Sequence, residues 1–217
     1  GSHEWASWES HGDLNTKLVH GFAIATGASV KEDAHDAVVE AYSIMDKRLA
    51  LPMRSEKGET IMHNVTADIM YVFVGPGYSA AAVSDALVEC AANVPIHGSS
   101  SSHGVLSWDG SGDMHAGGVT IIGIADEFGS YVTSAQRFDD HESIESAATA
   151  AATACKEKLK SGVKISAAFL NCRKDTVALV TKAVRAVIGE DVPLVGGGSG
   201  MDLNSTSSQF TSLESFE

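Results

Sequence analysis

A short phrase of residues occurs twice in the chain and constrains the fold more than any other feature. It reads Pro-Ile-His-Gly-Ser-Ser-Ser-Ser-His-Gly at residues 95–104 and Pro-Leu-Val-Gly-Gly-Gly-Ser-Gly at residues 193–200. The two prolines are 98 residues apart, and each phrase follows an amphipathic helical pattern. Glycine lets a backbone pass close to another group, and loops at strand ends are where α/β proteins usually bind ligands. The duplicated phrase therefore predicts a repeated fold with paired binding loops.

The segments before the two phrases also correspond. Residues 68–74 and 165–170 are continuous apolar runs, which predict strands buried on both faces. Each run is followed by a helical stripe of apolar residues, with valines at positions 83, 177, 180 and 184 among them. Each half thus contains a strand, a helix and a second strand that ends in the glycine- and serine-rich phrase.

A further strand and helix precede these elements in both halves. Apolar residues at helical spacing run through residues 34–49 and 144–159, after candidate strands at residues 21–26 and 119–125. The sequence therefore predicts two copies of a strand-helix-strand-helix-strand unit.

The number of helices favours one arrangement of these two copies. Right-handed crossovers place consecutive helices on the same face of a sheet, so each sheet keeps one apolar face uncovered. The other half's sheet is the obvious element to cover it. We therefore expect an α/β fold with mixed sheets, made of two βαβαβ halves (about residues 20–117 and 118–217) stacked as a four-layer αββα sandwich. A single doubly wound sheet is the alternative.

The connection after the fourth candidate strand carries a hairpin signal. Residues 119–125 and 131–136 flank Asp-Glu-Phe-Gly at residues 126–129. Such turn-forming residues between two apolar runs predict an antiparallel hairpin, and hence at least one mixed sheet.

Three other segments are less regular. Residues 50–66 predict a polar loop that the second half lacks. Residues 204–217 fit either an edge strand or a short helix. Residues 1–19 are interpreted as a tag remnant, Gly1-Ser2-His3, followed by an N-terminal extension. Whether the native protein has a leader sequence is therefore left undecided.

Charge and composition argue against several classes of function. The net charge of −13 argues against nucleic acids and anionic membranes as partners, because their phosphates would repel the protein. No apolar run reaches the 18 residues that a membrane span needs. Three cysteines without metal-binding spacing indicate free thiols in a reducing compartment. We expect a soluble, cytoplasmic protein.

One motif resembles a nucleotide-binding fingerprint. Residues 75–80, Gly-Pro-Gly-Tyr-Ser-Ala, fit GxGxx(G/A) between a strand and a helix. The fingerprint also needs an acidic residue at the end of the next strand, where this chain has His97-Gly98. A tight strand-to-helix turn is the more ordinary interpretation.

The serines and histidines allow a catalytic hypothesis without requiring it. Ser99–Ser102 with His97 or His103 as base would suit a hydrolase, but neither phrase contains the GxSxG of a nucleophile elbow. His97, His103 and His115 lack metal-binding spacing and would need the fold to bring them together. Asp202 either binds a ligand amine or caps the N–H groups of its own loop.

In its element order, its hairpin signal and its two phrases, the chain resembles the FIST N-terminal domain over most of residues 20–210. The family's first loop reads like VIGCSTAGEI, which corresponds here to residues 96–105, and its second like PVVGGAAGDDL, which corresponds to residues 193–203. This chain has Ser99 for the family's cysteine, His103 for its glycine and Gly104 for its glutamate. Thiol chemistry and ligand contacts of that glutamate therefore cannot be carried over.

The resemblance implies a sensory module of bacterial signalling proteins and of some F-box proteins, with an amino acid as the usual ligand. Relatives usually continue into a C-terminal FIST domain, and some bacterial ones bind haem and sense nitric oxide. No group of residues in this sequence requires haem as its ligand, so the identity of any cofactor is left undecided. We expect residues 20–217 to form a FIST N-like domain that binds a small polar molecule and signals to a protein partner.

The expected ligand site lies between the two loops, 98–104 and 196–202, which a pseudo-twofold axis would bring together. We expect no catalytic residue and no metal there. Two alternatives stay open, an interaction module of an F-box-type assembly and a hydrolase or transferase that uses the serine-rich loop. The expected ligand-binding residues are Gly98, Ser99, Ser100, Ser101, Ser102, His103, Gly196, Gly197, Gly198, Ser199, Gly200 and Asp202.

Overall fold

The computed structural model of the chain describes residues 17–18, 21–55, 57–101, 105–106, 114–115, 117–199, 209–211 and 215–216. Within these ranges the helices are α1 (Ala34–Arg48), α2 (Ala80–Ala91), α3 (Ile144–Lys158) and α4 (Val177–Ile188), with a short 3-10 helix at Phe138–Asp140. The strands are β1 (Lys17–Leu18), β2 (Phe22–Ser29), β3 (Ala50–Arg54), β4 (Thr60–Asn64), β5 (Ile69–Val74), β6 (Ile96–Ser100), β7 (Val105–Leu106), β8 (Met114–His115), β9 (Val119–Asp126), β10 (Ala168–Arg173), β11 (Leu194–Ser199), β12 (Gln209–Thr211) and β13 (Ser215–Phe216). The fold is mixed α/β, as predicted.

A six-stranded sheet forms the larger part of the molecule. Its strand order is β13-β12-β6-β5-β9-β2. β5 and β6 are parallel, and the other neighbours are antiparallel. The expectation of a mixed sheet is therefore confirmed.

Smaller sheets complete the described strands. β10 and β11 form a parallel pair, β1-β3-β4 an antiparallel sheet, and β7 and β8 an antiparallel pair. The parallel pairs β5–β6 and β10–β11 begin with the same kind of backbone hydrogen bond. The Met70 N–H donates to the Pro95 carbonyl, and the Ala168 N–H donates to the Pro193 carbonyl, each at 2.9 Å.

Each parallel pair packs against two helices through its own hydrophobic cluster. The first cluster joins α1 and α2 to one face of the six-stranded sheet, with Val38, Met45, Met70, Val72 and Leu87 fully buried. The second, smaller cluster joins α3 and α4 to β10 and β11. Because side chains alternate along a strand, both sheets have a second face turned away from their helices.

Local sequence accounts for the helix ends. Asp33 caps α1, because its carboxylate accepts the Asp36 N–H at 2.9 Å. Ser143 and Ser146 form a reciprocal capping box at the start of α3. Gly189, with a φ of 107°, ends α4 in a conformation that favours glycine.

The predicted hairpin between residues 119–125 and 131–136 is wrong. β9 pairs along its length with β2 on one side and with β5 on the other, so neither edge is free for residues 131–136. Asp126 organises the turn instead. It accepts the Phe128 N–H at 3.1 Å and the Tyr131 hydroxyl at 2.8 Å.

Other expectations shift by a few residues or change type. The strand expected at residues 165–170 is β10, which starts three residues later because its pairing begins opposite Pro193. The polar loop expected at residues 50–66 is the β3–β4 hairpin. Of the two alternatives at residues 204–217, the described part is strand, and β12 pairs with β6. Among the described helices, none is both long and apolar enough to cross a membrane.

Candidate functional site

The two phrases lie at the carboxyl ends of parallel strands, but less of each is loop than predicted. Gly98, Ser99 and Ser100 complete β6, and Gly196 to Ser199 complete β11. The Ser101 N–H then donates to the Val74 carbonyl at 2.8 Å. The other predicted residues, Ser102, His103, Gly200 and Asp202, lie outside the described residues.

Strand alternation divides each phrase between two faces. In β6, Ile96 belongs to the first cluster, so His97 and Ser99 lie on the face away from α1 and α2. In β11, Leu194 packs on the second cluster, so Val195, Gly197 and Ser199 lie on the face away from α3 and α4. We call these two helix-free faces the inner faces.

Two aromatic rings, one from each inner face, contact each other. Tyr71 in β5 lies 4.7 Å from Phe169 in β10, measured between ring centroids. Tyr71 also meets the imidazole of His97 edge-on at 5.8 Å. Tyr71 and Phe169 occupy corresponding places, since each directly follows the residue that donates to the proline carbonyl. Both residues belong to the apolar runs seen in the sequence, but the contact between them is a tertiary feature that those runs do not predict.

His97 is the most unusual polar group on the inner faces. Its Nε2 atom is buried, and no described residue gives it a hydrogen-bond partner. Burial lowers the pKa of His97 to about 4, so the imidazole is neutral at pH 7. Since buried polar atoms are almost always hydrogen-bonded, an unpaired ring nitrogen marks a place for a ligand or a water. Among the described residues, no serine hydroxyl pairs with this nitrogen. Ser102 and His103, which the catalytic hypothesis also uses, lie outside the described residues.

Ser199 provides a second group of this kind on β11. The residue is 2% exposed, and none of the described residues hydrogen-bonds to its Oγ. It lies at the end of the second phrase, as His97 lies near the start of the first. Each strand therefore contributes one buried polar atom of this kind, His97 near the start of β6 and Ser199 at the end of β11.

The three glycines of β11 have different surroundings. A Cβ at Gly196 would lie 2.0 Å from the Leu170 carbonyl oxygen, and one at Gly198 would lie 2.3 Å from the Lys174 Cα. A Cβ at Gly197, on the inner face, would meet no atom within 4 Å. Gly196 and Gly198 are thus required for packing, whereas Gly197 borders open space.

Comparison with known proteins identifies the family. A family model described as the FIST N domain matches residues 68–215, more than half of the chain. The chain belongs to the FIST N-domain family. The resemblance inferred from the two phrases is therefore confirmed, and the family is one of sensory, signal-transduction domains. A search among curated proteins finds no match.

The FIST N match starts one residue before β5 and includes both phrases. Within it, residues 75–80 form the tight turn that was the ordinary interpretation of the nucleotide-like motif. Gly77 has a φ of 101°, and α2 begins at Ala80 after the cap residue Ser79. The Tyr78 hydroxyl donates to the Lys31 carbonyl, which holds the turn against the start of α1.

Other reactive groups of this FIST N domain have structural explanations. Asp33, His35 and Asp36 bring ligand atoms within 4.8 Å of one another, but all three are exposed, and Asp33 already caps α1. Cys155 and Cys172 are free, and burial raises the pKa of both thiols. At neutral pH they are protonated and poorly nucleophilic.

The contrast between Gly197 and Gly198 gives a direct test of the site. We expect Gly198→Ala to lower the free energy of unfolding by about 2 kcal/mol, because its methyl group overlaps backbone atoms of Lys174. Gly197→Ala should change it by less than about 0.5 kcal/mol. Urea unfolding of both variants measures the difference. Equal losses would contradict an open inner face at Gly197.

Proposed function

We propose that this FIST N domain is a sensory module that binds a small polar molecule, an amino acid or related carboxylate, between the carboxyl ends of β6 and β11. The observation that carries the proposal is the buried Ser199 Oγ at the carboxyl end of β11, to which no described residue hydrogen-bonds. The Nε2 of His97, nearer the amino end of β6, is a second buried polar atom of this kind on the inner faces. Buried polar atoms without partners are costly, and a ligand that hydrogen-bonds to them would recover that cost.

A four-layer arrangement of the two halves is part of the proposal. In it the two inner faces stack, with α1 and α2 outside one sheet and α3 and α4 outside the other. Tyr71 and Phe169 support this, because corresponding residues of two related halves touch each other only near the axis that relates them. The expectation that residues 20–117 and 118–217 are two copies of one unit belongs to the same proposal.

The direction of the strands supports a shared site at one end of this sandwich. A pocket at the opposite end is lined both by Pro95, which precedes β6, and by Lys158, which ends α3 ahead of β10. The pocket therefore brings the end of α3, after which the chain continues to β10, beside the amino end of β6. In the proposed sandwich, the carboxyl ends of the two parallel pairs, which hold the two phrases, lie together at the other end, where parallel strands usually bind ligands.

The chemistry of the strand ends suits a small acid. The whole chain is acidic, with a net charge of −13, so an anion needs local donors. Ser99 and Ser199 offer hydroxyls, and glycine-rich backbone offers N–H groups that a ligand can approach closely. The neutral imidazole of His97 can donate from one ring nitrogen and accept with the other. The amine of an amino acid would be held by Asp202, as the sequence analysis suggested.

A thermal-shift panel tests the proposal. Amino acids, dicarboxylates and haem are added to the wild type at about 1 mM. A ligand with a Kd of about 10 μM should then stabilise the fold by about 2.7 kcal/mol, or about 5–10 °C in Tm. Gly197→Val should abolish the shift, because its side chain fills the open space on the inner face.

The control variant is Thr66→Val, which adds a valine at an exposed residue outside both phrases and should keep the full shift. The proposal fails if no polar acid shifts the wild type, or if the shift persists unchanged in Gly197→Val. If haem alone shifts the Tm of the wild type, and the complex shows a Soret band, then haem replaces the small acid as the proposed ligand.

A further inference from the structure

The inner face of β10 and β11 is built from three pairs of neighbouring residues. Leu170 and Cys172 pack on the second cluster, which places the alternate residues of β10 on the inner face. The two strands are parallel, so each of these residues lies beside one of β11. We call the three pairs the apolar rung (Phe169 and Val195), the middle rung (Asn171 and Gly197) and the terminal rung (Arg173 and Ser199).

The terminal rung offers hydrogen-bond donors at the carboxyl ends of the two strands. The Ser199 hydroxyl is buried, and no described residue hydrogen-bonds to it. Beside it, the guanidinium of Arg173 is held by the carboxylate of Asp175, from Nε to Oδ1 at 2.8 Å and from Nη2 to Oδ2 at 2.9 Å. A guanidinium has five N–H donors, so this ion pair does not use all of them. The carboxylate of a ligand therefore fits the terminal rung.

The middle rung leaves room for the body of a ligand. A Cβ at Gly197 would meet no atom within 4 Å, and Asn171 beside it is half-buried. The amide of an asparagine can donate to a carboxylate or accept from an amine. A ligand can thus pass close to the backbone of β11 here and still find a polar partner.

The apolar rung presents hydrocarbon on the same face. Phe169 and Val195 are each 52% exposed, although the ring of Phe169 also packs on Tyr71. Phe73 lies two residues after Tyr71 in β5, on the same inner face, and is 37% exposed. Small-molecule sites typically combine apolar walls of this kind with a few polar groups. An apolar group of a ligand would remove this surface from water, which is favourable.

The spacing of the rungs sets the length of the ligand. The terminal and apolar rungs are four residues apart, which is about 13 Å along parallel strands. A hydrogen bond at one end and an apolar contact at the other span about 3 Å and about 4 Å, so a ligand has to reach about 6 Å from its carboxylate. Leucine and phenylalanine reach this far, whereas alanine does not. Glutamate is long enough, but its second carboxylate would lie against hydrocarbon without a partner, which is costly.

We propose that the inner-face site selects amino acids with a large apolar side chain, such as phenylalanine and leucine, over small and acidic ones. This inference rests on the proposed function and specifies its ligand. The carboxylate of the amino acid lies at the terminal rung, and its side chain lies against Phe169 and Val195.

Isothermal titration calorimetry of the wild type with phenylalanine, leucine, alanine and glutamate tests the selectivity. Phenylalanine and leucine should bind at least about tenfold more tightly than alanine and glutamate, because only they bury an apolar group at the apolar rung. Phenylethylamine, which has the ring but no carboxylate, should bind at least about tenfold more weakly than phenylalanine. These measurements use the unaltered protein, so they do not depend on the folding of a variant.

Val195→Asn tests where the side chain of the ligand lies. The substitution replaces hydrocarbon at the apolar rung by an amide of similar size, at a residue that is already half exposed. We expect phenylalanine to bind at least about fivefold more weakly, with alanine binding and circular dichroism unchanged. Val88→Asn is the matched control, because Val88 is an exposed valine of α2, and phenylalanine should bind to it as to the wild type.

The possible failures separate this inference from the proposed function. If alanine or glutamate binds as tightly as phenylalanine, and Gly197→Val abolishes that binding, the selectivity is wrong and the site itself stands. If Val195→Asn binds phenylalanine as the wild type does, the apolar rung does not hold the side chain, and the inference is overturned. If no amino acid or other polar acid binds at all, the proposed function and this inference fail together.

Discussion

Replacing Gly27 with alanine is expected to lower the free energy of unfolding by about 3 kcal/mol. Gly27 lies in β2 where α1 crosses the sheet. A Cβ there would lie 1.9 Å from the carbonyl oxygen of Ala41 and 2.6 Å from the backbone nitrogen of Met45. Because both atoms belong to the helix backbone, no side-chain rotation relieves the overlap, and α1 has to move away from the sheet.

Gly123→Ala is the matched control for this prediction. Gly123 lies in the neighbouring strand β9, and its Cβ would meet the Met45 sulfur at 2.2 Å. A flexible thioether can rotate away, so we expect a loss of about 1 kcal/mol. Urea unfolding compares the two variants. If Gly27→Ala were as mild as Gly123→Ala, α1 would not be held against β2 as closely as the structure places it.

Close approaches of this kind mark a limit of sequence-based prediction. Helical periodicity placed α1 and α3 to within a residue at each end, and β5 to within one residue, because amphipathic spacing is a local property. Gly27 and Gly123 look like ordinary strand glycines in the sequence. Their role depends on which helix crosses them, and that is decided by the packing of distant segments.

Strand pairing marks a second limit of sequence-based prediction. The turn residues 126–129 are the same as in many hairpins, and yet β9 pairs with β2 and β5. Long apolar partners on both sides of β9 offer more ladder hydrogen bonds and more burial than the half-buried residues 131–136. A local turn signal cannot report this competition, because the competing strands are distant in sequence.

The candidate site was predicted in part. The repeated phrases located the two strand ends and the family, since glycine and serine runs after apolar strands are visible in the sequence. The expected set included Ser199 but omitted His97, Tyr71 and Phe169. His97 becomes informative only when its Nε2 is found buried and unpaired, and neither property can be read from one histidine in a sequence.

Lowering the pH from 7 to 4 is expected to cost the wild type about 3 kcal/mol more than the His97→Phe variant. Burial lowers the pKa of His97 from its ordinary value of 6.5 to about 4. Between these values the unfolded chain binds a proton that the folded chain does not, so the free energy of unfolding falls as the pH falls. This contribution is fully present above pH 6.5 and is lost by about pH 4. Tyr71 beside it has a pKa raised by burial and does not titrate there.

Urea unfolding of both proteins at several pH values measures this difference, in which the carboxylates common to both cancel. His35→Gln is the control of opposite sign. Its imidazole lies 2.9 Å from Glu89, whose hydrogen bond raises the pKa of His35. His35 therefore stabilises the fold fully below the unfolded pKa and less as the pH rises through its folded pKa. Parallel pH profiles for the wild type and His97→Phe would mean that His97 charges freely in the folded protein. An unpaired neutral imidazole could then no longer support a ligand site on the inner faces.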